Sequence, residues 1–170
     1  LPSTLTNVGY SVFANCKKIK TAGPETGEYN VKLKFKEKIP NELFAGTYLE
    51  RVVIPEGITV IGASAYSNCQ NLKEVQIPEG VKVISNYAFS SCKSLEKIEI
   101  PDSVKEIGEQ GFRDCENLKE VVGGGKLERL GICAFSDCKN LEKITLPSTL
   151  TNVGYSVFAN CKKIKTAGPE

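Results

Sequence analysis

The side chains in this sequence that could do chemistry most directly are its seven cysteines, and six of them are regularly placed. Those six each lie three residues after an aromatic residue: Cys16, Cys69, Cys92, Cys115, Cys138 and Cys161. Thiols can form disulfides, bind metals or act as nucleophiles, but the spacing lacks the paired C-x-x-C units of a zinc site. The sequence also has no histidine, which removes the commonest general base and any Cys–His or Ser–His pair.

No other group of residues indicates catalysis. Asp102, Asp114 and Asp137 recur near turns, and no two carboxylates stand out from the repeat background. The three glycines at 123–125 are not followed by the G-K-[ST] ending of a phosphate loop. We therefore predict no catalytic, metal or cofactor site, and a protein that is not an enzyme.

The elements that must hold these residues are copies of one another. Residues 72–95 read LKEVQIPEGVKVISNYAFSSCKSL, and residues 95–118 read LEKIEIPDSVKEIGEQGFRDCENL. One aromatic residue marks each copy: Phe13, Phe44, Tyr66, Phe89, Phe112, Phe135 and Phe158. Their successive spacings are 31, 22, 23, 23, 23 and 23 residues. A fixed period in the twenties that begins L-x-x-I-x-I indicates a solenoid, in which each coil contacts only its neighbours.

Each copy divides into the same parts. The alternating segment 72–77 predicts a strand that turns Leu72, Val75 and Ile77 inward, and a proline ends it. The following V-x-x-I segment buries two more apolar residues on the opposite side of the coil, and A-F-x-x-C packs the corner through a short helical turn. A glycine follows V-x-x-I in most copies, but Ser85 and Pro40 take its place in two others. Because proline fixes a negative φ, we interpret these glycines as allowing close backbone approach between coils.

The cysteines then stack as well. Stacked side chains point in parallel, which is poor geometry for a disulfide, and a buried free cysteine behaves as a small hydrophobe. We therefore predict a reduced row in the core. Cys133 lies at a place held by Ser64, Tyr87 and Ser156 in other copies, so we predict it to be exposed and reactive, or else paired with Cys138.

The repeating unit L-x-x-I-x-I-P-x-x-V-x-x-I-G-x-x-A-F-x-x-C resembles the BspA-like leucine-rich repeats. The copies that carry it best begin at Leu49, Leu72, Leu95, Leu118 and Leu141. The period and this resemblance predict one right-handed leucine-rich-repeat stack over residues 1–170. It has about seven coils of ~23 residues, a parallel β-sheet on the concave side, and short turns, 3-10 turns or helical turns elsewhere. Departures from the unit are an insertion at about 24–35, Thr47 near the expected cysteine, and the three glycines at 123–125.

Two features disturb the regular array. The insertion predicts a protruding loop or small hairpin with Lys32, Lys34 and Lys36 on one side, and it is a second candidate for ligand contact. Residues 146–170 repeat residues 1–25 without a change, and the chain has no methionine. We interpret the chain as a fragment of a longer protein, one 145-residue super-repeat plus an overhang. The overhang also makes head-to-tail self-association possible.

The outward charges of the predicted strands alternate in sign from coil to coil. One row reads Glu50, Lys73, Glu96, Lys119, Glu142 and Lys165, and the next reads Arg51, Glu74, Lys97, Glu120 and Lys143. Strands of a parallel sheet lie about 4.8 Å apart, so these residues become cross-strand neighbours of opposite charge. The charges are therefore predicted to specify the stack.

The remaining outward positions of the concave face are the predicted protein-binding surface. Together with the second charge row, it comprises Arg51, Val53, Glu74, Gln76, Lys97, Glu99, Glu120, Val122, Lys143 and Thr145. The net charge of +2 gives no electrostatic case for a nucleic-acid partner, and no apolar run predicts membrane insertion. The resemblance implies an exported protein at the cell surface or outside the cell, with adhesion to extracellular-matrix proteins, host surface proteins or other cells as its role. The alternative is a structural spacer or stalk with no ligand of its own.

Overall fold

The structure is a computed structural model that describes residues 11–23, 30–32 and 35–167. The described residues contain fourteen short strands and no helix. The strands are β1 (Thr21–Gly23), β2 (Asn30–Lys32), β3 (Lys38–Ile39), β4 (Arg51–Val53), β5 (Val60–Ile61), β6 (Glu74–Gln76), β7 (Val83–Ile84), β8 (Lys97–Ile100), β9 (Glu106–Ile107), β10 (Glu120–Gly123), β11 (Arg129–Leu130), β12 (Lys143–Ile144), β13 (Asn152–Val153) and β14 (Thr166–Ala167).

The strands of the L-x-x-I-x-I segments stack in parallel, as predicted. Together with β2, which lies in the insertion, they form two four-stranded sheets with the orders β2-β1-β4-β6 and β14-β12-β10-β8, and β6 lies beside β8. Equivalent residues of successive copies are direct partners, for example Val52 with Val75 and Ile98 with Val121. One 23-residue repeat of the sequence thus forms one coil of the stack.

Another parallel sheet, which we call the second sheet, runs along the side of the coils opposite to the L-x-x-I-x-I strands. Its six strands have the order β13-β11-β9-β7-β5-β3 and come from the V-x-x-I segments. Ile61, Ile84 and Ile107 are successive partners in this sheet and are fully buried. The sequence predicted burial on this side but no sheet, because each copy supplies only two paired residues.

The core is a set of parallel rows of identical or similar side chains between the two strand sides. The seven repeat aromatics form one continuous ladder with ring centroids 5.2–5.9 Å apart and planes within 12° of parallel. Stacked aromatic pairs contribute about 0.5–1.5 kcal/mol each beyond the burial of their area.

Five complete turns lie between Leu49 and Ile164, so the expectation of about seven coils counted the incomplete turns at either end.

The corners of the coils are not helical turns, contrary to the expectation. Each contains two residues four apart with left-handed backbone angles, such as Ser64 and Asn68 with φ of 55° and 59°. In these corners alternate N–H groups donate to the next coil, as in Tyr66 N to Ala88 O at 2.9 Å and Asn68 N to Ser90 O at 2.7 Å. The second left-handed position is often Asn or Asp, which tolerate this conformation.

The glycines that follow the V-x-x-I segments allow the coils to approach closely, which confirms our interpretation. A Cβ atom on Gly108 would lie 2.6 Å from Asn86 N, and one on Gly131 would lie 2.8 Å from the Glu109 Cα atom. Neither glycine has a positive φ. Contact between backbones, and not a left-handed conformation, therefore excludes a side chain at these places.

The insertion near residues 24–35 is described only in part. β2 pairs in parallel with β1, with Thr21 opposite Asn30, so these strands do not form the antiparallel hairpin that was one expectation. Lys36 is exposed, whereas Lys34 and the side chain of Lys32 lie outside the described residues.

Candidate binding face on the strand side of the coils

All ten predicted site residues lie on one face. We call this the strand face: the outward side chains of β4, β6, β8, β10 and β12, together with Thr145, which follows β12. Neighbouring positions are in register, with Arg51 opposite Glu74 and Glu99 opposite Val122. The structure therefore assembles the residues that the repeat alignment grouped together.

The charged rows of the strand face form ion pairs between coils, as predicted. Glu120 lies between two lysines, with carboxylate oxygens 3.0 Å from Lys97 Nζ and 3.1 Å from Lys143 Nζ. The hydrogen bond from Lys97 is the main cause that lowers the pKa of the Glu120 carboxyl. Within the described residues Glu96 contacts one cation, Lys119 at 2.7 Å, so not every charge of these rows is paired on both sides.

A depression interrupts this face beside the three glycines. We call it the glycine depression: a volume of about 520 Å³ lined by Lys97, Asp102, Glu120, Val121, Val122, Gly123, Gly125, Lys143 and Thr145. Other copies place an apolar residue and a proline where this coil has Gly123 and Gly124. Val122 and Thr145 are half-buried in the lining of the depression.

The backbone of the glycines is held firmly against the preceding coil. Gly123 and Gly124 have φ of 81° and 70°, a conformation that L residues rarely adopt. Gly124 N donates to Ile100 O at 2.7 Å, and Gly125 N donates to Asp102 Oδ1 at 3.0 Å. Sequence reasoning treated these glycines as an ordinary substitution and missed Asp102 as a residue of this face. The available signal was the loss of two bulky residues at one level of the array.

Two other depressions lie elsewhere on the described surface. A smaller one of about 320 Å³ includes Gln76 and Glu99 on the strand face. Another, of about 500 Å³, lies at the corners and includes Asp114 and Asp137. These two carboxylates contact neighbouring coils, with Ser91 Oγ 3.2 Å from Asp114 and Arg113 Nε 3.5 Å from Asp137. Hydrogen bonds, first of all from Asn160, lower the pKa of Asp137.

The cysteines form a reduced row in the core, as predicted, and all seven are free. The thiols donate to the carbonyl of the aromatic residue in the preceding coil, for example Cys115 Sγ to Phe89 O at 3.2 Å. Burial raises the pKa of Cys69 to about 11 and that of Cys115 to about 12. Cys133 is half-buried and free at a left-handed corner position, so the structure shows neither the exposed thiol nor the pair with Cys138 that were predicted. Thr47, at the aberrant place in the row, donates from Oγ1 to Phe44 O at 2.8 Å.

The described part of the chain has neither a cluster of metal ligands nor a membrane-spanning helix. No group of three or more His, Cys, Asp or Glu side chains there is arranged to hold a metal ion. None of its segments is a helix with the length and apolar character needed to cross a membrane.

Comparison with known proteins identifies the family. A family model described as BspA type leucine rich repeat region matches residues 37–165 in six copies. The chain belongs to the BspA-type leucine-rich repeat family. The family is defined by a repeat scaffold, and no catalytic family is indicated. No curated protein matches the sequence.

Solved structures of bacterial leucine-rich repeat proteins share the fold of this BspA-type array. A leucine-rich repeat protein from Bacteroides ovatus has 28% identity and a TM-score of 0.74, with 99% of this chain and 50% of that chain covered. The pneumococcal vaccine antigen PcpA has 23% identity and a TM-score of 0.74, over 98% of this chain and 43% of that one. A leucine-rich cell surface protein from Faecalibacterium prausnitzii has 21% identity and a TM-score of 0.55, over 92% and 55%. This chain therefore spans about half the length of the solved proteins that it matches.

Proposed function

We propose that this BspA-type array is a non-enzymatic protein-binding module of a cell-surface or secreted protein, and that its ligand is a protein of the extracellular matrix or of a host cell surface. The observation that carries the proposal is the glycine depression on the strand face. It is a concave site at a level of the array where the repeat is broken, and solenoids bind ligands through such extended faces.

The chemistry of the depression suits an extended peptide segment or a protruding loop. Val122 and Thr145 offer a partly apolar floor, and the carboxylate of Asp102 lies beside the backbone of Gly125. Lys97 and Lys143 lie at the rim, where a ligand carboxylate would compete with Glu120 for their ammonium groups. Those pairs are exposed and individually weak, so exchanging them costs little.

The named relatives support the proposed location. One solved neighbour is described as a cell surface protein and another as a vaccine antigen. A location at the cell surface or outside the cell agrees with the role proposed here, because the proposed ligand belongs to the extracellular matrix or to a host cell surface.

The experiment is surface binding of the chain to a panel of matrix glycoproteins and host cells. Val122→Glu should abolish saturable binding, because it places a third carboxylate in the depression. Val83→Glu is the matched control, since Val83 is equally half-buried but lies on the second sheet. Equal loss of binding in both variants would contradict the site. A variant that lacks residues 24–29 tests whether the insertion makes the contact instead.

The second candidate function is a structural spacer, and one observation favours it. Residues 146–170 repeat residues 1–25 without a change, as expected of units that lengthen a stalk. A folded chain that binds nothing on the panel, with every variant equally inert, would favour the spacer over the binding module.

A further inference from the structure

The corners of three successive coils form a polar depression that is separate from the strand face. We call it the corner depression: it has a volume of about 500 Å³, and its lining includes Tyr87, Ser90, Gln110, Arg113, Asp114 and Asp137. Ligand sites typically have volumes of about 300–1,000 Å³. The corner depression shares no residue with the glycine depression. It is therefore an independent candidate site.

Two large side chains break the repeat in the corner depression. The residue after the ladder aromatic is Arg113 in one copy and small in the others, where it is Ala14, Ala45, Ser67, Ser90, Ser136 or Ala159. Tyr87 is the one aromatic residue in the row that lies two places before the ladder. It is 38% exposed, whereas the ladder residue Tyr66 is fully buried. The scaffold requires neither large side chain, because the coil of Tyr66 forms the same kind of corner with Ser64 and Ser67.

Contacts between side chains hold these large groups in place across the three coils. Gln110 Nε2 donates to the Tyr87 hydroxyl at 3.0 Å, and Arg113 Nη1 donates to Gln110 Oε1 at 2.8 Å. Arg113 Nε lies 3.5 Å from Asp137 Oδ2. A ligand in the depression therefore meets side chains that are already ordered, which lowers the entropy cost of binding.

The same groups have further hydrogen-bonding capacity. A guanidinium has five N–H donors, and the contacts of Arg113 with Gln110 and Asp137 engage one donor each. Asp114 accepts from Ser91 Oγ at 3.2 Å, and a carboxylate can accept about four hydrogen bonds. The Tyr87 hydroxyl accepts from Gln110 and can donate its own proton. A ligand can therefore add contacts here without replacing those that join the coils.

The lining favours a neutral ligand that is rich in hydroxyl groups. Two carboxylates, those of Asp114 and Asp137, lie beside one cation, Arg113, so an anionic ligand is disfavoured. Tyr87 is the lining residue with a large apolar surface, which is too little for a peptide that needs several apolar anchors. A pyranose ring matches both features. Its C–H groups pack on the negative face of an aromatic ring, and its hydroxyl groups both donate and accept hydrogen bonds.

We propose that the corner depression binds a neutral saccharide, with a pyranose ring stacked on Tyr87 and its hydroxyl groups hydrogen-bonded to Arg113 and Asp114. Ser90 is the buried residue of the lining and forms its floor, where a small side chain leaves room for the sugar. This site does not depend on the protein-binding function proposed above, because the two depressions lie on different sides of the coils.

The test is binding of the full chain to a printed array of neutral and acidic oligosaccharides, followed by isothermal titration calorimetry with the neutral oligosaccharide that binds best. The array carries both host-type glycans and fragments of polysaccharides, so it separates these two sources. Tyr87→Ala should lower the affinity by about tenfold, because it removes the stacking ring. Tyr87→Phe should lower it less, because the ring remains. Since Tyr87 is exposed, both variants should keep the unfolding transition of the parent chain.

Tyr48→Ala is the matched control, because Tyr48 is 44% exposed and lies outside the corner depression, so this variant should bind like the parent chain. Val122→Glu should also keep saccharide binding, which distinguishes this site from the glycine depression. The proposal would be overturned if no neutral oligosaccharide bound, if acidic ones bound better, or if Tyr87→Ala bound as well as Tyr48→Ala. Binding to a matrix glycoprotein stripped of its glycans, if lost in Tyr87→Ala, would assign the depression to a protein ligand and would likewise overturn it.

Discussion

Replacing Tyr66 with phenylalanine should stabilise this protein, although the substitution removes a polar atom from the core. Tyr66 is the one tyrosine in a ladder of phenylalanines, stacked 5.6 Å from Phe44 and 5.2 Å from Phe89. Its side chain is fully buried, and its hydroxyl has no hydrogen-bond partner in the part of the chain that the structure describes. The same burial raises the pKa of the Tyr66 phenol above its ordinary value.

The size of the effect follows from desolvation. A buried donor without a partner costs about 1–3 kcal/mol relative to an apolar group of the same shape. The ring contacts survive the substitution, so Tyr66→Phe should raise the free energy of unfolding by about 1–2 kcal/mol. With a urea m-value of about 2 kcal/mol/M, the denaturation midpoint rises by roughly 0.5–1 M.

Phe112→Tyr is the reciprocal control. Phe112 has the same environment, with ring centroids 5.3 Å and 5.4 Å from its neighbours, and it is equally buried. Adding a hydroxyl there should lower the midpoint by a similar amount. Both midpoints are measured by urea denaturation with circular dichroism. An unchanged or lower midpoint for Tyr66→Phe would refute the assignment of an unpaired hydroxyl, whatever Phe112→Tyr does.

Three further predictions concern contacts between coils. Glu120→Lys should lower stability in urea denaturation, because it puts three cations side by side, and added salt should reduce the loss if the cause is electrostatic. Gly131→Ala should lower the free energy of unfolding by about 1–3 kcal/mol in the same assay, since the new Cβ would press on the backbone of the preceding coil. Gly125→Ala should lower it far less, because there a Cβ would meet only an exposed carboxylate, at 3.0 Å. Burial raises the pKa of the Cys69 thiol from about 9 in the unfolded chain to about 11 in the folded chain. This thiol therefore leaves the free energy of unfolding unchanged below pH 9 and lowers it by about 1.4 kcal/mol per pH unit between pH 9 and pH 11. Unfolding free energies at pH 8, 9 and 10 should show a shallower decline in Cys69→Ala, and an unchanged slope would contradict the buried-thiol account.

The repeat alignment predicted those features that depend on equivalent residues facing one another. Rows of aromatics, cysteines and alternating charges were all placed correctly, because a parallel stack brings each residue beside its counterpart in the next copy. The glycine interpretation was also predictable, because Pro40 at the same place is incompatible with a positive φ.

The alignment failed where the conformation is set by neighbours and not by residue type. The first left-handed position of each corner holds residues as different as Glu42, Tyr87 and Cys133, so their φ values of 55°, 59° and 55° had no sequence signal. Hydrogen bonds to the adjacent coil impose that conformation. The second sheet was missed for a related reason, since two paired residues in a coil do not produce a readable alternation. The glycine depression depends on which side chains are absent from one level of the stack, and this can be judged only with the adjacent coils in place.

The arrangement of paired groups limits where this protein can recognise anything else. Most side chains that usually bind ligands are already used between coils: Lys97 and Glu120 in ion pairs, Asp114 in a corner hydrogen bond, and Cys115 in the core. A ligand that met an unbroken region of the stack would have to replace contacts that hold the coils together. Recognition is therefore expected where the repeat is broken. One such place in the described structure is the depression at Gly123–Gly125.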